Sequence, residues 1–232
     1  MKYKYDLGII GGMGSEATVE IFSRIINRCF HTCDQDSMRI AILNDSKIPD
    51  RTKYILEGGE NPLPYLNSAI RDLKKIKAKY FIIDCNTAHY FAEDLKYKGI
   101  EFISLIEESL KYIIKNHKDK KICILGTNGL INSGVYFNNK FAKDLDFIKL
   151  DQDSQKKVMN VVTFTKEDRD KSEILKLLKE AMNSINDDNV LYVLACTEIS
   201  LYKNDLKEYN IIDSMDVLVD EAIIKCGYKL KD

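Results

Sequence analysis

Phe81-Ile82-Ile83-Asp84-Cys85-Asn86-Thr87 and Tyr192-Val193-Leu194-Ala195-Cys196-Thr197-Glu198 decide how this chain is read. Each is a short apolar run that ends in a cysteine and passes at once into hydrogen-bonding residues. The second copy lies 111 residues after the first, close to half of the 232-residue chain. Another pair keeps nearly the same offset. Leu7-Gly8-Ile9-Ile10-Gly11 and Ile122-Cys123-Ile124-Leu125-Gly126 are apolar runs closed by glycine, 115 residues apart. Hydrophobic strands resemble one another by chance, but two features in register indicate a repeated unit.

Working outward, strands are predicted over Leu7–Ile10, Arg39–Leu43, Tyr80–Ile83, Phe102–Ser104, Lys121–Leu125, Phe147–Leu150, Val190–Leu194 and Ile211–Ile212. Helical spacing falls between them, over Ala17–Cys29, Tyr65–Ile76, Leu105–Lys115, Glu173–Ile185 and Asp216–Lys225. This alternation predicts an α/β fold of two similar, doubly wound halves, each with a parallel sheet of the four-stranded type covered on both faces. The expected division is 1–104 plus about 212–232 for the N-terminal domain and 105–211 for the C-terminal domain. One long loop is expected, Asp45–Pro64, which carries all three prolines.

Composition narrows the partners. Lys+Arg number 35 against 36 Asp+Glu, a formal net charge of −1, with no basic stripe, so nucleic acid is not expected. No apolar stretch approaches membrane-spanning length, and Met1–Ile10 lacks the apolar run of a signal peptide. Six cysteines in a chain of this length do not make a disulfide framework. Cys29 and Cys33, with only His31 nearby, lack the second close pair of a zinc site. Free thiols in a reducing cytoplasm, with no metal, are the expectation.

In open parallel sheets, ligands bind beyond the carboxyl ends of the strands. Cys85 and Cys196 both stand there, each before a helix start whose N–H groups favour anions and thiolates. Taken singly, either cysteine reads as a small buried residue. As a matched pair facing one another across a cleft, they suit removal of a proton from one face of a carbon and delivery to the other. Cys29, Cys33, Cys123 and Cys226 lack this setting and read as structural.

With Gly11-Gly12-Met13-Gly14, Lys47-Ile48-Pro49-Asp50-Arg51-Thr52, Cys85-Asn86-Thr87-Ala88-His89 and Cys196-Thr197-Glu198-Ile199 in this order, the sequence resembles the aspartate/glutamate racemase superfamily over almost its whole length. Gly12-Met13 and Glu198 stand where cell-wall glutamate racemases usually carry Asp-Ser and histidine, so the aspartate racemase branch is the nearer likeness. The resemblance implies a pseudosymmetric two-domain fold with the active site in the cleft between domains. It implies a homodimer and a dicarboxylic amino-acid substrate, with neither pyridoxal phosphate nor metal. Cys85 and Cys196 would be the proton donor–acceptor pair. Asn86, Thr87 and Thr197 would hold the α-carboxylate, Arg51 the side-chain carboxylate, and Lys166 would assist. Met13 would line the pocket and Thr127 would contact substrate. Glu198 would position Cys196, meet the substrate ammonium, or only favour the helix N-terminus. His89, one turn past Cys85, is expected to cap or pack.

The sequence departs from the family pattern at Ser15-Glu16, where proline often follows Gly-Met-Gly, at Ala195, where glycine is common, and in the acidic Glu167-Asp168-Arg169. These departures bear on substrate preference. Rival readings are a dinucleotide site at Gly12-Met13-Gly14-Ser15-Glu16-Ala17, a superfamily relative with maleate-type isomerase, decarboxylase or hydantoin racemase activity, and a non-catalytic protein that clamps a small acid. The first leaves the paired cysteines unexplained. Its acid would be Asp45, 31 residues after Gly14, where about 20 is usual.

Overall fold

A computed structural model describes residues 3–231; residues 1, 2 and 232 of the expected terminal domain lie outside the described residues. The strands are β1 (Tyr5–Gly11), β2 (Ile40–Asn44), β3 (Ala78–Ile83), β4 (Glu101–Phe102), β5 (Lys121–Leu125), β6 (Asp146–Ile148), β7 (Val190–Leu194) and β8 (Ile211–Asp213). The helices are α1 (Ser15–Arg28), α2 (Arg51–Glu57), α3 (Leu63–Lys75), α4 (Leu105–His117), α5 (Asn128–Ser133), α6 (Gln152–Lys166), α7 (Lys171–Asn183), α8 (Thr197–Ser200) and α9 (Ser214–Lys225). The strands form two parallel four-stranded sheets, ordered β2-β1-β3-β4 and β6-β5-β7-β8. The second order repeats the first, as the twin motifs require.

Strand alternation sorts the core into three layers. Leu7, Ile9 and Ile82 of the first sheet and Ile122, Ile124, Leu191 and Val193 of the second point into one shared apolar layer with α1, α4 and α9. Ile10, Phe81 and Ile83 point the opposite way, onto α3. Cys123, Leu125, Tyr192 and Leu194 do the same toward α6 and α7. Near-continuous apolar strands are what burial on both faces demands.

In each sheet the order in which strands are added reverses between two neighbouring parallel strands, β1 and β3 in the first and β5 and β7 in the second. Loops leaving such strands part and open a crevice at their carboxyl ends. The segments at these two switch points are Gly11–Gly14, Cys85–Thr87, Gly126–Thr127 and Cys196–Glu198. Gly12 makes its turn with φ of +87°, and a Cβ there would collide with the Asp45 backbone.

The expected loop 45–64 is in part helical, which is a correction. Asp50 accepts from the Lys53 N–H at 2.7 Å and starts α2, Gly58 ends it in the left-handed conformation, and Pro64 lies in the first turn of α3. A second helix absent from the sequence reading is α6, capped by Asp151. Strand ends also shift: β4 stops at Phe102, because Ser104 accepts from Glu107 N–H as the cap of α4.

Buried charge joins the halves. Arg24 of α1 donates to Asp213 at 2.5 Å, to Asp216 at 2.9 Å and to Ser200, one turn past Cys196, at 2.8 Å. Ser200 also bonds Asp213. Removing one partner of such a cluster strands the others in low dielectric. Arg24→Ala should therefore destabilise the protein by about 3–5 kcal/mol in urea unfolding. A loss below about 1 kcal/mol would mean the cluster is solvated and holds little.

Candidate active site

The crevices of the two sheets meet in one chamber. Its walls include all ten residues singled out from sequence: Met13, Arg51, Cys85, Asn86, Thr87, Thr127, Lys166, Cys196, Thr197 and Glu198. Asp50, Thr52 and Ala195 complete it and were given no role. The chamber is tight, about 50 Å³, and adjoins an outer cavity of about 500 Å³ lined by Ser15, Glu16, Ile48 and Leu201 among others. Met13, Asp50, Arg51, Lys166, Thr197 and Glu198 border both and form the partition.

The surroundings of the two thiols differ. Cys196 Sγ donates to Glu198 Oε2 at 2.8 Å, and the Thr197 hydroxyl donates to the same oxygen at 3.1 Å. Glu198 Oε1 pairs with Lys166 Nζ at 3.2 Å. Burial, then the Glu198 charge, push the Cys196 thiol well above its usual range. Burial opposes ionisation of Glu198 too, but Lys166 and the Cys196 hydrogen bond outweigh it and leave the carboxyl below its ordinary value. Cys196 is thus held as a thiol against an ionised carboxylate. Cys85 is half-buried and lines the same chamber.

Behind Cys85, His89 is fully buried and clamps the turn. Its Nε2 accepts from the Leu105 N–H at 3.1 Å, so Nδ1 carries the proton and donates to the Cys85 carbonyl at 2.9 Å. Burial pushes its pKa down to about 4, and the ring is neutral. That is the capping role expected of it.

Arg51 opens α2 and does not pair with Asp50. Its Nη1 donates to the carbonyls of Ile48 at 3.3 Å and Pro49 at 2.9 Å, and Nη2 donates to that of Met13 at 2.9 Å. Buried Nε has no partner among the described residues. Three of five guanidinium donors fix its position, and Nε–H with the second Nη2 hydrogen are left for a ligand. Asn86 also has structural partners: Oδ1 accepts from Tyr136 at 2.8 Å and Nδ2 donates to Ser214 at 3.3 Å. What it offers a ligand is its backbone N–H and one amide hydrogen. Thr127 caps α5, and its hydroxyl lies 3.1 Å from that of Thr87 and 3.4 Å from that of Thr52. Thr52 stood in a motif quoted from sequence, which was the signal available for it.

Among the described residues no group of three or more His, Cys, Asp or Glu side chains is placed to hold a metal, and no helix is long and apolar enough to cross a membrane.

The chain belongs to the Asp/Glu/hydantoin racemase family, whose model matches residues 10–222. Over 225 residues, 94% of this chain and 96% of the relative, it is 23% identical to a broad specificity amino-acid racemase of Bacillus subtilis. Picrophilus torridus aspartate racemase is 28% identical and superposes with a TM-score of 0.87, covering 97% of this chain and 95% of that one. A glutamate racemase from Bacillus anthracis, 21% identical over 95% of this chain and 80% of its own, shares the fold with a TM-score of 0.68. Family membership makes the chain an isomerase of the amino-acid racemase type.

The Glu198 contact predicts how Cys196 reacts. At pH 8, Cys196 should be alkylated slowly by iodoacetamide, because little thiolate is present. In Glu198→Gln, the rate at Cys196, followed by peptide mass spectrometry, should rise about tenfold for each unit by which the thiol pKa falls. Equal rates in both proteins would show that the carboxylate does not control the thiol.

Proposed function

We propose that this racemase interconverts L- and D-aspartate, glutamate or both by proton transfer at Cα between Cys85 and Cys196. The observation that carries the reading is the pair of strand-end thiols on one chamber, with Cys196 held protonated by Glu198. In one direction Cys85, as thiolate, takes the Cα proton, and the C–H electron pair passes into the α-carboxylate. Cys196 then returns its own proton to the opposite face of Cα. The reverse direction exchanges the roles, and the stereocentre inverts each time.

A thiolate is a far weaker base than the carbanion it generates, so developing charge on the α-carboxylate has to be held by fixed donors in a dry site. On this reading the donors are backbone N–H groups of the Asn86–Thr87 and Thr197–Glu198 turns and the Thr87 hydroxyl, while the Thr197 hydroxyl is spent on Glu198. The two free Arg51 donors match a distal carboxylate side-on, which favours a dicarboxylic substrate. Met13 lines the wall, Thr127 contacts substrate beside Thr87, and Lys166 maintains the charge on Glu198. Acid and base are both supplied by thiols, so the reading needs neither pyridoxal phosphate nor metal. The chamber adjoins the larger outer cavity across the partition, and closing that partition over a bound substrate would exclude water.

On the same reading, residues 1–104 with about 212–232 form one lobe and 105–211 the other. The return of the chain to the first lobe is supported by α9 packing onto α1 after β8 has paired with β7, while α9 also packs on α4 of the second lobe. The six free cysteines fit a reducing cytoplasm. A homodimer is supported by an exposed apolar stripe on α1 at helical spacing, Val19, Phe22 and Ile26, with Phe30 beyond it. Exposed Ile42 of edge strand β2 lies beside it, on the face from which Asn44 bonds Ser15.

L-Aspartate and L-glutamate incubated in heavy water should gain deuterium at Cα and yield the D-isomers. Cys85→Ser and Cys196→Ser should each lower racemisation by at least about a hundredfold. Absence of exchange with both substrates in reduced, folded protein would end the reading, and full activity in either variant would end the two-thiol assignment. In sedimentation, the protein should run as a dimer and Val19→Asp/Phe22→Asp as a monomer. A monomeric parent at micromolar concentration would remove the dimer.

A further inference from the structure

Asp84 immediately precedes Cys85, and the reaction as described does not use it. Its strand position points the side chain away from the Cys85 face and toward the layer between the sheets. The equivalent place in the second half holds Ala195, so the carboxyl is not a requirement of the fold. It is 1% exposed. One oxygen, Oδ2, accepts from the Thr18 hydroxyl at 2.6 Å, and that hydroxyl oxygen accepts the Gly12 N–H at 2.9 Å. The other oxygen, Oδ1, is buried with no partner among the described residues. A buried ionised carboxylate with one bare oxygen is costly.

Above Asp84 is the Gly11–Gly12–Met13 turn. A Cβ on Gly11 would meet Asp84 Oδ2 at 2.8 Å and Thr18 Oγ1 at 2.3 Å, so the turn rests directly on this pair. The next carbonyl, that of Met13, receives Arg51. Asp84 is therefore two short links from the guanidinium that the proposed function assigns to the substrate's distal carboxylate. The charged groups that act on it are Arg51 from α2, which favours its ionisation, and Glu198 from α8, which opposes it and is itself paired to Lys166 of α6. From α1 it meets the neutral Thr18, and from β1 the Gly11 backbone and the Ile10 carbonyl, which accepts the Asp84 N–H.

We propose that Asp84 is a positioning residue that takes up a proton when a dicarboxylic ligand enters, leaving the charge of Arg51 to the ligand's distal carboxylate. The substrate class rests on the racemase reading. An ionised Asp84 lies in the field of Arg51 and offsets part of the charge a ligand would meet, whereas a neutral one does not, so each anion disfavours the other. Burial raises the Asp84 pKa to about 7, with the Thr18 hydrogen bond and Arg51 opposing, so the exchange falls within the working range of pH. The sign follows from linkage: the bound ligand raises the pKa further, and protons are absorbed on binding at and just above neutral pH.

The test uses succinate, a dicarboxylate with no amine and no stereocentre, so its result does not depend on racemisation. Calorimetry of succinate binding in buffers of different ionisation enthalpy should show uptake that peaks near or just above pH 7. The peak is about half a proton if the ligand shifts Asp84 by one pKa unit. Asp84→Asn should bind succinate without uptake, and its affinity should stay constant over the interval in which that of the parent weakens up to about tenfold as pH rises. Thr18→Val, which removes the hydrogen bond that favours the carboxylate, should move the uptake peak to higher pH. A purely structural Asp84 would move neither peak. Uptake that persists in Asp84→Asn, a peak unmoved by Thr18→Val, or succinate that binds with no uptake or fails to bind would each overturn the proposal. The heavy-water exchange experiment decides the racemase reading separately.

Discussion

The apolar layer shared by the two sheets is the constraint from which the rest follows. Leu7, Ile9 and Ile82 on one side and Ile122, Ile124, Leu191 and Val193 on the other can bury their inner faces only against each other and the helices between. That contact fixes the mutual orientation of the sheets. Because both sheets are parallel and have the same strand order, it also brings their switch points to one place. The thiols meet because two apolar faces must be covered, and the Arg24 cluster secures the arrangement from the far side of Cys196 through Ser200.

Much of this was legible in the sequence. A strand with both faces buried reads as an unbroken apolar run, as β1, β3, β5 and β7 do, and shorter runs mark the strands at the sheet edges. Their carboxyl ends are marked by what cannot continue a buried ladder, such as glycine, or cysteine followed by Asn or Thr. The repeat made the cysteines a pair before any coordinates did. Most residues lining the chamber lie within a few positions of those strand ends or in the motif around Arg51, whereas Lys166 comes from the end of α6.

What was not legible depends on local caps and on long-range burial. Helix α2 has seven residues between prolines and a glycine pair, too short for periodicity to stand out, and Asp50 and Gly58 define it instead. Helix α6 is rich in valine and threonine, residues that favour strands in isolation, yet tertiary packing and the Asp151 cap hold it helical. Lys166 therefore reaches Glu198 from a fixed helix end rather than from a loop. Asp84 looked like the polar end of a strand. Only the position of Thr18, 66 residues away in sequence, reveals that its carboxyl is enclosed.

The pseudosymmetry is broken where the chemistry needs it broken. A perfect repeat would give both cysteines the same neighbours. Here Cys196 has a carboxylate two residues later, in hydrogen-bond contact and neutralised by Lys166, whereas the corresponding place after Cys85 is Thr87. The first half carries its acid one residue before the cysteine instead, and points it at the turn that holds Arg51. One carboxylate thus touches a sulfur of the chamber and the other the turn that seats a guanidinium. Duplication of a fold brings two strand-end cysteines to one chamber, and divergence of the few residues around each strand end gives the two cysteines different surroundings.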